Sequence, residues 1–363
     1  RVFEVVEANR SRHEIKALAR GDVVLASNGE KVEAIAYGIP GEAVSSKAHI
    51  MGDDALLLKY LNPHLAAVCT TSKGGTAAPL LDSKLKPPLQ QDGNYSTAIE
   101  PSTLYVTLVD VVAARVVARV AHPNGAAPCR VSVSENWVVA AYWNAKAKRQ
   151  ELASLSLHEG MIDRYGLSPF RVPEQETTFS ARAAPPPVAL FRTFAVEKPV
   201  LDLTPTLTAR GIASKHFLVA VAPGQVAALD RRALDPRRPT VDLDKHGRPS
   251  SAARKKFERE LDEGLHPYAP FVPLKPRSVV TYTRRLLGLT RLFVTDAKLE
   301  STTLVFAAGV DLWSTAYQPS GAFDLLADDF NHALLLLLLL ALGTGALLLK
   351  AAATRKNLAL LWA

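Results

Sequence analysis

The sequence predicts a mainly β chain that ends in one membrane-crossing helix, and three observations carry that prediction. Short runs rich in Val, Leu, Thr and aromatics recur up to Gln318, separated by turn signals such as Pro-Asn-Gly and Ala-Pro-Gly. Ala333 to Leu349 reads ALLLLLLLALGTGALLL, without a charge. Basic residues follow that run, and acids precede it.

The strand candidates are DVVLAS (22–27), HLAAVCTT (64–71), TLYVTLVDVV (103–112), RVSVSE (130–135), WVVAAYW (137–143), ELASLSL (151–157), HFLVAVA (216–222), QVAALD (225–230), RLFVTD (291–296) and TTLVFAAGVDLWSTAYQ (302–318). HFLVAVA and QVAALD meet across a Pro-Gly pair and predict a hairpin. Many short consecutive strands favour a sandwich, a barrel or a propeller, and no WD repeat chooses among them. Lys84 to Ser96 reads as a polar loop. Arg237 to Pro276 is charged and Pro-rich, with a short exposed helix expected in SAARKKFERELDEG.

Residues 179–199, FSARAAPPPVALFRTFAVEKP, carry three prolines ahead of VALFRTFAV. Pro fits a first helical turn. Val188, Leu190, Phe191, Phe194 and Ala195 would then share one broad face. Residues 185–196 therefore read as an amphipathic helix lying on a membrane surface. A helix or strand packed on the core fits the same residues.

The leucine run spans about 26 Å at helical rise, just under the ~30 Å hydrocarbon core. Phe330 on one side and a snorkelling Lys350 beside Ala351 to Ala353 on the other bring it to full length. A buried core helix rarely carries seven consecutive leucines and no polar stripe. Orientation follows from Lys350, Arg355 and Lys356, against Asp324, Asp328 and Asp329 on the other flank. Basic flanks stay cytosolic, so the C-terminus is expected in the cytosol and the bulk of the chain in a lumen or outside. Asp324, Asp328 and Asp329, with Asn331 and His332, form a polar cluster at the membrane interface. They either keep that end out of the bilayer or meet a partner's basic groups. Ala341 and Gly345 are four apart, with Gly343 nearby, and suit close helix packing.

Hydrophobic residues make up 48% of the 363, enough for a sizeable core. Ahead of the membrane segment, 40 bases face 35 acids, a mild excess without a clustered face, so nucleic acid is not an expected partner. The runs RRALDPRR (231–238) and ARKKFERE (253–260) read as solvated loop or helix faces. There is no HExxH, no GxSxG and no GK[ST] phosphate loop, and the nine histidines lack metal-ligand spacing. Asp242, Asp244 and Gly247 only faintly resemble a calcium loop, with Ala253 at its twelfth position. No cofactor, metal or catalytic residue is expected. Two cysteines exclude a disulfide-dense scaffold; Cys69 and Cys129 could pair in an oxidising compartment, but read first as buried free thiols. Asn9 and Asn94 fit the glycosylation pattern. The chain starts at Arg1 without an initiator Met or signal peptide and reads as part of a longer protein.

Five blocks are more specific. They are MGDDALLLKYLNPHLAAV (51–68), SENWVVAAYWNAKAKRQEL (134–152), TARGIASKHFLVAVAPGQVAALDRRALDPRRP (208–239), HPYAPFVP (266–273) and GVDLWSTAYQPSGAFDLLADDF (309–330). In this order, ahead of a membrane span, they resemble the largest-subunit family of the endoplasmic reticulum (ER) membrane protein complex. The resemblance implies propeller-type lumenal blades, an incomplete propeller in this chain, and one C-terminal transmembrane helix. It implies blades over 1–130, a C-terminal lumenal β domain over 131–330, a membrane helix over 331–353 and a cytosolic tail over 354–363. It also implies a non-catalytic scaffold and client-handling role in an insertase for transmembrane segments and tail anchors. The other subunits, client membrane proteins and the lipid bilayer are the implied partners. By position, residues 185–196 with Val188, Leu190, Phe191 and Phe194 would be an interfacial brace. The same topology also fits a single-pass receptor or adhesion protein with a ligand-binding ectodomain, or a membrane-anchored lumenal enzyme. The short tail disfavours the receptor, and the missing motifs disfavour the enzyme.

Overall fold

The computed structural model describes residues 2–9, 14–21, 23, 25, 29–73, 102–162, 187–240, 250–324 and 330–362. An N-terminal antiparallel pair, β1 (Val2–Asn9) and β2 (Glu14–Gly21), comes first. There follow β3 (Lys31–Tyr37), β4 (Ala48–Ile50), β5 (Leu56–Lys59), β6 (Leu65–Lys73), β7 (Ser102–Asp110) and β8 (Arg115–Pro123). The first large sheet runs β3-β6-β7-β8. The second is built on β9 (Gly125–Ser134), β10 (Trp137–Asn144), β11 (Arg149–Ile162) and β12 (Val188–Val196). β5 pairs with the far end of β11, β4 pairs with β5, and the short β16 (Phe271–Val272) lies parallel to β12.

The third sheet is β13 (Val200–Pro205), β14 (His216–Val221) and β15 (Gln225–Asp230). The fourth is β17 (Arg291–Asp296), β18 (Thr303–Ala308) and β19 (Leu312–Tyr317). Helix α1 (Ser251–Asp262) lies between them in sequence, capped by the Ser250 hydroxyl, which accepts from the Ala253 amide. Its exposed surface matches the sequence expectation for 253–260.

The sheets stack in chain order. β9 packs on β3, β6 and β7; β13 packs on β9 and β10; β17 packs on β13 and β14. Each junction has its own apolar core. This arrangement explains why WVVAAYW and HFLVAVA are continuous rather than alternating. On β10, Val138, Ala140 and Tyr142 enter the first core while Trp137, Val139 and Ala141 enter the second. On β14, Phe217, Val219 and Val221 enter the second core while Leu218 and Ala220 enter the third. A strand covered on both faces needs an apolar residue at every position. The fourth sheet is different: Val305 and Ala307 of β18 are buried, whereas Leu304 and Phe306 on its other face are exposed. Among the described residues no strand of the fourth sheet pairs with the first, and the described sheets form an open row.

Local chemistry sets the hairpins. β14 and β15 join through Ala222-Pro223-Gly224, as the Pro-Gly signal predicts. Gly224 has φ +99°, where a side chain is strained, and a Cβ there would lie 2.1 Å from the Leu286 carbonyl oxygen. β9 and β10 join through Glu135-Asn136, with Glu135 at φ 52°.

The structure corrects four expectations. Residues 188–196 form β12, not a helix. β12 pairs along its length with β11, and Phe194 lies opposite Leu152 with 0% exposure. Of the expected strand 22–27, the described residues 23 and 25 lie in no element. The boundary at 130/131 falls inside β9, and the first core draws on both sides of it. The basic run 231–238 is not a solvated loop: Leu234 is fully buried and Arg238 is 7% exposed. The Arg238 guanidinium donates to the carbonyls of Ala233, His266 and Pro267. The polar loop 84–96 and the calcium-like run at 242–247 lie outside the described residues.

The chain divides into two units, Arg1–Gly321 and Ala322–Ala363. The second holds helix α2 (His332–Trp362), which is long and apolar enough over His332–Asn357 to cross a membrane. The expected tail, 354–363, continues this helix as far as Trp362.

Candidate functional site

Most of the sequence-predicted site residues lie on or just before α2 or on β12. At the start of α2, the Asn331 side-chain oxygen accepts from the Leu334 amide at 2.9 Å. Asn331 is thus an N-cap, satisfying one of the orphan donors of the first turn. His332 stacks edge-on against Phe330, centroids 5.2 Å apart. Asp324 is exposed, and Asp328 and Asp329 lie outside the described residues. Ala341 and Gly345 share one face of α2 at four-residue spacing, and Gly343 falls on the opposite face. The Thr344 hydroxyl donates back to the carbonyls of Leu340 and Ala341, so its polar atom needs no partner outside the helix. Lys350, Arg355 and Lys356 are exposed on the last turns.

On β12 the expected face divides. Phe194 sits in the second core, with the Arg238 guanidinium 5.5 Å from its ring centroid and Tyr268 packed nearby. Leu190 is half-buried, while Val188 and Phe191 are 54% and 44% exposed. Asn9 lies on β1, and Asn94 lies outside the described residues.

Sequence reasoning missed a buried charge cluster where loops of three sheets meet. Glu135, at the β9–β10 turn, is its centre. Its carboxylate lies 2.9 Å from Lys59 of β5, 3.1 Å from Arg231 after β15, and 3.8 Å from Lys215 before β14. Lys215 also pairs with Glu42, which accepts from the Ser134 hydroxyl and the Glu135 amide. Arg231 lies over the Trp137 ring at 5.3 Å. The cluster holds three cations and two carboxylates. Burial by itself would raise the Glu135 carboxyl, but Arg231, Lys59 and Lys215 outweigh it and hold it below its ordinary value. Lys59 is pushed down, because burial and its two cationic neighbours exceed the attraction of Glu135. The Lys59 and Glu135 shifts therefore do not mirror each other. Glu135 gains from all three cations, while Lys59 faces one carboxylate and two like charges.

A second polar device closes the third sheet on the fourth. Glu300 accepts from the Thr208 hydroxyl and from the amides of Arg210, Ile212 and Ala213. Burial works against its ionised form, and the amide donors hold it below the ordinary carboxylate value. The 208–213 loop also approaches residue 43 closely. Gly211, at φ +67°, would place a Cβ 2.2 Å from the Ala43 carbonyl oxygen.

These groups fasten sheets together, and each charged side chain of the Glu135 cluster has an oppositely charged protein partner. Among the described residues no group of three His, Cys, Asp or Glu side chains is placed to hold a metal ion. The signal for the cluster lay in the 134–152 and 208–239 blocks, which carry Glu135, Lys215 and Arg231.

An open row of stacked sheets followed, among the described residues, by one apolar helix long enough to cross a membrane defines the class: a β-propeller-type protein with a candidate membrane span near its C-terminus. The family model described as "ER membrane protein complex subunit 1, second beta-propeller" matches residues 9–320. The chain belongs to that family. It is 29% identical to ER membrane protein complex subunit 1 of Xenopus laevis over 94% of this chain and 30% of the relative. It is 30% identical to that of Gallus gallus over 88% and 28%. The Schizosaccharomyces pombe protein is 25% identical over 95% and 33%. The chain spans about a third of the length of these relatives.

Proposed function

We propose that this chain is part of a non-catalytic scaffold and client-handling subunit of the ER membrane protein complex, with its sheets in the lumen and its C-terminus in the cytosol. The observation that carries the reading is the family match over 9–320 joined to a single apolar helix whose bases lie only at its C-terminal end. The positive-inside rule supports the orientation. The mechanism needs no bond chemistry. A charged residue in a client helix costs about 2.5–3.5 kcal/mol at the bilayer centre. A complex offering a polar, locally thinned path lowers that cost. Interlocked sheets fastened by Glu135 and Glu300 supply the rigidity a lumenal scaffold requires. Ala341 and Gly345 are the packing face for a partner helix. Asp324, Asp328 and Asp329 are the group for a partner's basic side chains. For membrane contact by the second sheet, Val188 and Phe191 are the candidates, because Phe194 is committed to the core.

Purification in mild detergent tests the proposal. Stable co-purification of other membrane subunits is expected, together with reduced insertion of clients bearing polar transmembrane segments when the protein is depleted. Gly345→Leu should weaken that co-purification. Recovery of the chain alone, with client insertion unchanged on depletion, overturns the reading. Protease digestion of sealed microsomes tests orientation: the sheets should be shielded and a tag after Ala363 should be cut.

A further inference from the structure

Cys69 and Cys129 are 60 residues apart and come from different sheets. Cys69 lies on β6, opposite Ala34 of β3 and Val106 of β7. Cys129 lies on β9, which packs on β6. Both are buried thiols, as the sequence reading has them, and both belong to the core between the first and second sheets. What the sequence did not reveal is that they touch: their Sγ atoms are 2.6 Å apart. Two sulfurs bond at about 2.05 Å. The two sulfurs are therefore within an ångström of bonding distance.

We propose that Cys69 and Cys129 form a disulfide that staples the first sheet to the second across their shared core. This rests on the lumenal placement proposed above, because such bonds persist in oxidising compartments. The chemistry is thiol–disulfide exchange. One cysteine thiolate attacks a disulfide donor, giving a mixed disulfide and releasing one donor thiol. The second cysteine thiolate displaces the other donor thiol and completes the Cys69–Cys129 bond. Two protons and two electrons leave the cysteine pair, and the donor disulfide is reduced to two thiols. Contact with Cys69 and burial both push the Cys129 thiol up. The staple acts at the junction of the first and second sheets, close to where Glu42 accepts from Ser134 and Glu135.

The test uses the full chain in sealed microsomes. Free thiols are blocked with N-ethylmaleimide in denaturant, the sample is reduced, and newly freed thiols are labelled with a second, mass-distinct maleimide. Both cysteines should take only the second label, and a non-reduced digest should contain one cross-linked pair of peptides holding Cys69 and Cys129. In Cys129→Ala, Cys69 should take the first label. First-label modification of both cysteines in the wild-type chain overturns the staple, whether or not the variant accumulates. Protease digestion of the same microsomes separates the two ideas. Shielded sheets with free thiols overturn the disulfide alone. Sheets digested from outside overturn the lumenal placement.

Discussion

Neutralising Glu135 should be the most damaging single-charge change in the β unit. Its carboxylate is 3% exposed and lies 2.9, 3.1 and 3.8 Å from three cations. At an effective dielectric near 20, each such contact contributes about 4–6 kcal/mol of gross attraction. Much of that is offset by the desolvation of the groups involved. Removing one member of a buried pair typically costs about 3–5 kcal/mol, because the remaining charge is left uncompensated. Glu135→Gln leaves Lys59, Lys215 and Arg231 around Glu42 alone, so the loss should fall at the top of that range. Lys59→Met should be far milder, about 1 kcal/mol or less. Burial already disfavours the Lys59 charge, and Glu135 keeps Arg231 and Lys215. The assay is denaturant unfolding of the detergent-solubilised chain followed by tryptophan fluorescence, since Trp137 lies under Arg231. If Lys59→Met costs as much as Glu135→Gln, or if neither costs more than about 0.5 kcal/mol, the cluster is not organised around Glu135 and the argument fails.

Phe194→Ala should cost about 3–5 kcal/mol, as truncation of a fully buried aromatic does, whereas Phe191→Ala on the exposed side should stay near 0.5; equal, small effects in unfolding experiments would restore a surface role for both. His122 and His158 are each pushed down to about 4, mainly by burial, from an ordinary value of 6.5. The unfolded chain then binds protons that the folded chain does not. Stability should be flat above pH 6.5 and fall as pH drops toward 4, by up to about 2.7 kcal/mol per pH unit for the two together; an unchanged denaturation midpoint between pH 7 and pH 5 contradicts this. Gly211→Ala puts a Cβ into the Ala43 carbonyl at φ +67° and should lower the melting temperature by several degrees, while Gly264→Ala, with positive φ but open space, should do less. Glu300→Ala should speed amide exchange at Arg210 and Ile212, whose N–H groups it accepts; unchanged exchange there would mean that the loop holds itself.

Local signals were enough wherever burial or turn geometry is written into adjacent residues. Seventeen uncharged residues admit a membrane helix because every backbone polar group is satisfied within it. WVVAAYW and HFLVAVA were legible as strands and Pro223-Gly224 as a turn, whereas the cover on both strand faces came from the stacking of sheets. Other features depend on partners distant in sequence, and these only the tertiary structure decided. VALFRTFAV places apolar residues that suit a helical face as well as a strand, and its pairing with β11 and burial of Phe194 selected the strand. Glu42, Lys59, Glu135, Lys215 and Arg231 each look like solvated charges in isolation, because burial of an ion is permitted only by counter-ions that the chain brings from elsewhere. Cys69 and Cys129 carry no spacing signal, and their contact exists because β6 and β9 belong to sheets that stack face to face.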